Sequence, residues 1–279
     1  MHDDPGAPRP DFAPPPDDGD ALAGIDPELL AAGFVPPEPD EPAPVELWSA
    51  VGDVLPSGTM LVLLSWGAVF AVQAVRGEVG DSTALVARGA NIVPQGMREG
   101  AWRLLASTFL HGSPQHVFFN AVTLLVLGQA VERIFAPGAL PLVYVTGGAL
   151  ASLGSLAWRM HRDAAGAGLS IGGSGVVFAL GGALFAAAFR LRHRLAVGRA
   201  RALGAVVLLL TLPSLSAGLQ LHGTDNAAHA AGLAAGVLAG AVVPLRAALG
   251  GPRRSGATRW LGALATLALL ATFARVLAG

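Results

Sequence analysis

The chain has 279 residues, with 18 Lys+Arg against 19 Asp+Glu for a formal charge of −1, 53 % apolar residues and 13 % charged ones. The charged share is about half that of a soluble domain, which argues against a large soluble enzyme and against a nucleic-acid binder. There is no Cys, so thiol nucleophiles, Cys-ligated zinc and structural disulfides are excluded.

The near-neutral total hides two unlike pieces. Residues 1–48 carry 12 acids and one base, Arg9, a net of −11. The remaining 231 residues carry 17 bases and 7 acids, a net of +10, and every base is Arg. The first 48 residues also hold 12 of the 20 prolines. Such a segment buries too little apolar surface to offset its ordering entropy, so it reads as a disordered, acidic, Pro-rich tail. At 26–33 it carries the marks of one helical turn: Asp26 to cap it, Pro27 at its first position, Leu29 and Leu30 as an apolar face, and Gly33 to end it. No basic start leads into an early apolar core, so no signal peptide is expected.

The body consists of stretches free of Asp, Glu and Arg at 54–75, 104–131, 134–158, 164–189, 202–224, 226–245 and 260–274. A helix needs about 20 residues to cross the hydrocarbon core, so the first six qualify by length as transmembrane helices. The seventh is short and reaches both interfaces only if Arg259 and Arg275 snorkel outward, giving a further C-terminal span over 258–278. The expected fold class is an all-α polytopic membrane protein, with a six-helix domain over 54–247 and that extra helix.

Arginine placement orients the bundle. Arg190, Arg192, Arg194, Arg199 and Arg201 lie between the fourth and fifth spans, Arg246, Arg253, Arg254 and Arg259 between the sixth and seventh, and Arg133 between the second and third. These links share one side, the side of the tail. Arg-rich loops stay cytoplasmic, so the N-terminus is expected in the cytoplasm. The Lys-free, Ala-rich composition is that of a high-GC bacterium, so the expected location is a bacterial plasma (inner) membrane. Four arginines between 76 and 103 and two in 159–163 stand on the opposite side, so the bias is imperfect.

Polar side chains at membrane depth are costly and mark function. The second stretch contains His111, His116 and Asn120, the fourth contains Ser174 within Gly172-Gly173-Ser174-Gly175, and the sixth contains His229. Counting from the arginine at each span's end gives their depth. Ser174 lies 16 residues from Arg190, His229 17 from Arg246, and His116 and Asn120 lie 17 and 13 from Arg133. At 1.5 Å per residue these four stand roughly 20–26 Å from the cytoplasmic anchor, in one layer below the outer surface. His111, farther out, is expected at or beyond the outer boundary. Gly232, Gly236 and Gly240 repeat every four residues in the sixth span, as do Gly175, Ala179 and Ala183 in the fourth, spacings that let helix backbones approach in lipid.

A buried Ser beside a His is the minimal activated nucleophile, with the imidazole first taking and then returning the proton. Asn120 and His116, four residues apart on one helix face, could donate to a developing oxyanion. A fourth helix beginning near Ser174 would add its unpaired N–H groups. No Asp or Glu stands at this depth, so a dyad is expected; Asp225 is four residues from His229 but points to the outer interface, and no orienting role is expected of it. No HExxH zinc site and no GxGD in an apolar span exist, and the serine lacks the GxSxG flanks of a soluble hydrolase elbow.

These residues carry a family resemblance. Gly172-Gly173-Ser174-Gly175, Ala228-His229-Ala230-Ala231-Gly232 followed by Gly236, the triplet His111, His116 and Asn120, and the pair Trp102-Arg103 are similar to the GxSG, AHxxG(xxx)G, H(x4)H(x3)N and WR motifs of rhomboid intramembrane serine proteases. Gly128 and Glu132 fall where that family has a Gly and a Glu. The similarity covers roughly 85–247 and leaves out the tail and the seventh span.

The resemblance implies a rhomboid-like bundle with Ser174 as nucleophile, His229 as base, and His116, Asn120 and the Ser174 backbone as the oxyanion site. It implies supporting roles for Gly172, Gly175, Phe178, Trp102, Arg103 and His111. At Phe178 some members have Tyr, on which the catalytic His stacks; here the ring face is kept and the hydroxyl lost. The implied partners are single-span transmembrane substrates and the lipid bilayer, with no nucleic acid, metal or cofactor. The rival reading is a catalytically silent rhomboid-like protein that binds membrane clients; such relatives usually lack the Ser or the His, and both are present.

Overall fold

The structure, a computed structural model, describes residues 57–93, 100–161, 168–192, 204–205, 224–246 and 255–279. The tail with its turn at 26–33, nearly all of the fifth stretch, and Arg194, Arg199, Arg201, Arg253 and Arg254 lie outside the described residues. Among those described, the secondary structure is helical, with two isolated bridges, Asn91 to Ser170 and Phe135 to Leu245.

Helix α1 (Gly58–Val75) starts at Ser57, whose side chain accepts from the Met60 N–H. Its first N–H groups are met from outside. Glu132 accepts from Gly58 N at 2.8 Å, Thr59 N at 3.2 Å and Thr59 Oγ1 at 2.6 Å. A carboxylate at a helix N-terminus both fills orphan donors and opposes the helix dipole. Outside α1, the short α2 (Ser82–Ala87) is capped by Asp81. The still shorter α3 (Arg103–Ala106) runs on into a 3-10 turn over Ser107–Phe109.

Helix α4 (Pro114–Ile134) is capped by Ser113 with Pro in its first turn, and α5 (Ala139–His161) follows after a tight link at Gly138, φ +92°. The expected span at 104–131 is therefore broken. Ser113 and Pro114 start a new helix, because Pro has no N–H to continue a preceding one and is at home in the first turn. The 103–113 segment forms a short helix and 3-10 turn of its own instead.

Helix α6 (Ser174–Arg190) also starts later than the expected stretch at 164–189. Gly172 has φ +108°, which ends any helical path into the segment. Helix α6 is buried on nearly every side and is packed by α7 (Asn226–Val242), α5 and α4. A helix apolar all round belongs at the centre of a bundle. The α6–α7 contact is close because the small residues interlock. A Cβ on Gly232, Gly236 or Gly240 would meet the carbonyl of Gly175, Ala179 or Ala183 in turn.

Helix α8 (Gly256–Ala278) spans 23 residues, longer than its charge-free stretch suggested. It packs along α5, with Gly262 against Gly138 at one end. At the other, Arg88 Nη1 donates to Val276 O at 2.8 Å and the Arg275 guanidinium lies 4.0 Å over the Trp102 ring. Helices α1, α4, α5 and α8 are each long and apolar enough to cross a membrane; α6 and α7 are shorter apolar helices of 17 residues.

Two of the arginines between 76 and 103 have structural uses. Arg88 is 2 % exposed and forks onto Glu78, while Arg103 is 5 % exposed and donates to Val86 O and Ala90 O.

Candidate active site

Three helices and one turn converge on Ser174. Helix α6 begins at that residue, so its first N–H groups have no intrahelical acceptor and its dipole points at the serine. His229 sits in the first turn of α7, where Asp225 caps the helix by accepting from Ala228 N at 3.0 Å. The interlocked glycine stripe lets the two helices approach until His229 Nε2 and Ser174 Oγ stand 2.9 Å apart. Phe178, one turn along α6 from the serine, stacks on the imidazole with ring centroids 4.3 Å apart and planes at 15°. The ring is thus clamped between a stacking face and a hydrogen bond, and the hydroxyl lost at this position is not needed for the stack.

His229 Nδ1 is buried and has no hydrogen-bond partner among the described residues. Asp225 does not supply one. Its carboxylate is engaged by Ala228 N, by Ser155 Oγ and by Arg159 Nη2 at 3.3 Å. Arg159 in turn donates to Gly168 O at 2.5 Å, on the approach to the serine.

His116 and Asn120 close the other side. Both stand on α4 one turn apart, and both come down on Gly172. A Cβ there would lie 2.5 Å from His116 Cε1 and Nε2 and 3.5 Å from Asn120 Nδ2. Glycine is required at 172 twice over, by this approach and by its positive φ. Asn120 Nδ2 is buried without a partner among the described residues, beside Gly172. A buried unpaired donor is costly, and such sites call for an explanation in function.

The supporting residues separate into two groups. Gly172 lies two residues before Ser174 and Gly175 follows it, and a Cβ at either would collide with a neighbouring side chain, His116 or Ala151. Trp102 and Arg103 make their contacts elsewhere and hold their segment against α8 and the α2 turn. His111, expected at or beyond the outer boundary in depth, is fully buried within the protein, edge-on to Trp66 at 5.3 Å and to His116 at 5.1 Å. It precedes the Ser113 cap, so a count at helical rise does not apply to it, and the chain folds it inward. A small polar recess lined by Ser107, Ser152, Ser170 and Asp225 lies beside Ser174.

Several contributors were not legible as site residues in the sequence. Asn91 exchanges backbone bonds with Ser170 at 3.0 and 2.8 Å and donates from Nδ2 to Ser152 O, tying its own link to the turn that precedes Ser174. The rarity of Asn, present three times in the chain, was the available signal. Trp66 and Tyr144 lie under the turn with no motif to mark them.

An all-helical, multi-pass membrane bundle with a serine–imidazole pair at the start of its central helix is the class that fold and site define. Residues 98–246, over half of the chain, match the Rhomboid domain. The chain belongs to the rhomboid family. It is 29 % identical over 193 residues to Rhomboid protease GluP of Bacillus subtilis (strain 168), covering 68 % of this chain and 35 % of that protein. To RHOMBOID-like protein 5 of Arabidopsis thaliana it is 32 % identical over 155 residues, covering 56 % and 47 %. To Rhomboid protease AarA of Providencia stuartii it is 34 % identical over 104 residues, covering 37 % of each. The chain thus spans about a third to a half of the length of these relatives. Helices α1 and α8 fall outside the matched domain.

Proposed function

We propose that the chain is an intramembrane serine endopeptidase that cuts single-span transmembrane substrates with a Ser174–His229 dyad. The observation that carries this reading is the 2.9 Å contact between Ser174 Oγ and His229 Nε2 under a stacked Phe178. As Oγ attacks the scissile carbonyl carbon, Nε2 takes its proton, and the imidazolium returns it to the leaving amine. Water then repeats the cycle on the acyl-serine, with His229 again as base. The negative charge on the tetrahedral oxygen falls beside the first N–H groups of α6, Asn120 Nδ2 and the His116 ring, donors preset before the reaction.

Depth follows from helix length. Seventeen residues of α6 rise about 26 Å, less than the thickness of the hydrocarbon core. With Arg190 at the cytoplasmic boundary, Ser174 stands a few ångströms inside the opposite one. Cleavage is accordingly assigned near the outer end of the substrate helix, the tail to the cytoplasm and the protein to a bacterial inner membrane. The acidic tail at 1–48, the six-helix unit at 54–247 and the added helix at 258–278 are the corresponding domains.

The test is cleavage of a transmembrane peptide by the purified protein in detergent, with Ser174→Ala as control. The wild type should cut near the outer end of the helix and the variant should not, with unchanged expression and melting. A Ser174→Ala variant that cuts normally would sink the assignment. A wild type that binds the peptide yet neither cuts it nor takes a fluorophosphonate label on Ser174 would establish the silent client-binding reading instead.

A further inference from the structure

The largest fully buried side chain of the bundle, Trp66, is on α1, outside the matched Rhomboid domain and outside every motif of the site. It nevertheless touches both halves of the site. A Cβ placed on Gly173 would run into the Trp66 ring at Cζ2, Cη2 and Cε2, so the six-membered ring of the indole packs directly against the residue that precedes the serine. The same indole stands edge-on to His111, His111 edge-on to His116, and His116 presses on Gly172. Trp66, Gly173, Gly172, His116 and His111 therefore form a closed ring of contacts. The nucleophile turn is one side of that ring and the oxyanion imidazole the other.

The indole is itself locked. Its Nε1 donates to Tyr144 Oη at 3.0 Å, and Tyr144 Oη stands 3.0 Å from Thr108 Oγ1, which donates to Leu105 O at 2.7 Å. One proton assignment serves all three bonds. The Thr108 hydrogen is committed to the Leu105 carbonyl and the indole has only a donor, so the Tyr144 hydroxyl must accept from Trp66 and donate to Thr108. The chain of bonds is directional and ends on the backbone of the short α3 helix. Tyr144 is the sole tyrosine of the protein, in helix α5 and fully buried.

We propose that Trp66, held by Tyr144 and Thr108, is a positioning residue that sets the height of the nucleophile turn against the oxyanion imidazole. It touches no reacting atom. It acts through Gly173 on Ser174 and through His111 on His116, so releasing it lets the two sides drift without removing a catalytic group. The inference rests on the protease reading above.

The experiment compares wild type, Tyr144→Phe, Trp66→Phe and the double variant as full-length protein in detergent, well below the melting temperature of each. Two rates are read: fluorophosphonate labelling of Ser174, and cleavage of a transmembrane peptide resolved into kcat and KM. Tyr144→Phe keeps the phenyl ring and the fold while freeing the indole. It should slow labelling and lower kcat by about tenfold with KM unchanged, as sub-ångström misplacement of reacting groups does. Trp66→Phe should do the same. The double variant should be no worse than the worse single one, because both act through one ring. A merely structural role lowers the melting temperature and leaves both rates intact in the folded fraction, and that outcome overturns the proposal while the protease reading stands. Additive losses in the double variant also overturn it. A wild type that takes no label overturns the protease reading and this inference together.

Discussion

Adding one methyl group at Gly236 should disable the site from a distance of two helical turns. A Cβ at this position would stand 2.6 Å from the Ala179 carbonyl carbon and 2.7 Å from its Cα, and nearer still to its oxygen. Carbon atoms in contact prefer about 3.5–4.0 Å, and the obstacle is backbone, which cannot rotate aside. Helix α7 must therefore back away from α6 by roughly 1 Å, taking His229 with it. A Ser174–His229 separation of 2.9 Å then approaches a length at which no hydrogen bond remains. Displacement of that size costs about 10²-fold in rate, or roughly 2.7 kcal/mol of barrier. Overpacking costs a further ~1–3 kcal/mol of stability. The assay is kcat/KM for peptide cleavage with melting in the same detergent. Leu238→Ala serves as control, since that side chain is on the same helix but 68 % exposed and should change little. A Gly236→Ala protein with wild-type melting and wild-type kcat/KM would refute the close-approach argument.

Two other perturbations separate local roles. Phe178→Ala removes the face on which His229 stacks, and a stacked pair contributes about 0.5–1.5 kcal/mol beyond its buried area; kcat should fall up to about tenfold, whereas Phe178→Tyr, which keeps the ring, should stay close to wild type in the same cleavage assay. The Arg88 hydrogen bond holds the Glu78 carboxyl below its usual value of 4.5, so the stability it lends is present at neutral pH and lost as acid takes the pH below 4.5 and through the lower folded-state value. Glu78→Gln should accordingly lower the melting temperature at neutral pH and make a shrinking difference on acidification, read from melts across that range.

Much of the molecule is legible in one dimension. The charge-free stretches at 54–75, 134–158 and 226–245 correspond to helices α1, α5 and α7. They are legible because a bilayer demands uninterrupted apolar runs whose backbone groups bond within the run. The depth count that put Ser174, His229, His116 and Asn120 in one layer used the same regularity, since helical rise is constant. Where the chain leaves regular helix, a count at helical rise no longer applies. The 104–131 stretch broke at Ser113, His111 turned inward, and α6 began ten residues into its stretch at Ser174. Hydropathy carries no record of such breaks; the local signs were Pro114 and Gly172, each with a backbone reason.

Composition, periodicity and motif order were enough to establish an all-α membrane bundle and to single out a serine and an imidazole on two different helices. Which atoms meet depends on helix register, and register depends on packing. Gly232, Gly236 and Gly240 seat on the Gly175, Ala179 and Ala183 carbonyls, and that seating brings Nε2 and Oγ to 2.9 Å. The roles of Trp66, Tyr144 and Asn91 likewise come from contacts between residues tens of positions apart, for which no spacing rule exists. The charge of −1 splits into a tail of −11 and a body of +10 on the page of the sequence. That Arg88 and Arg103 are buried and clamp neighbouring segments is a fact that only three dimensions supply.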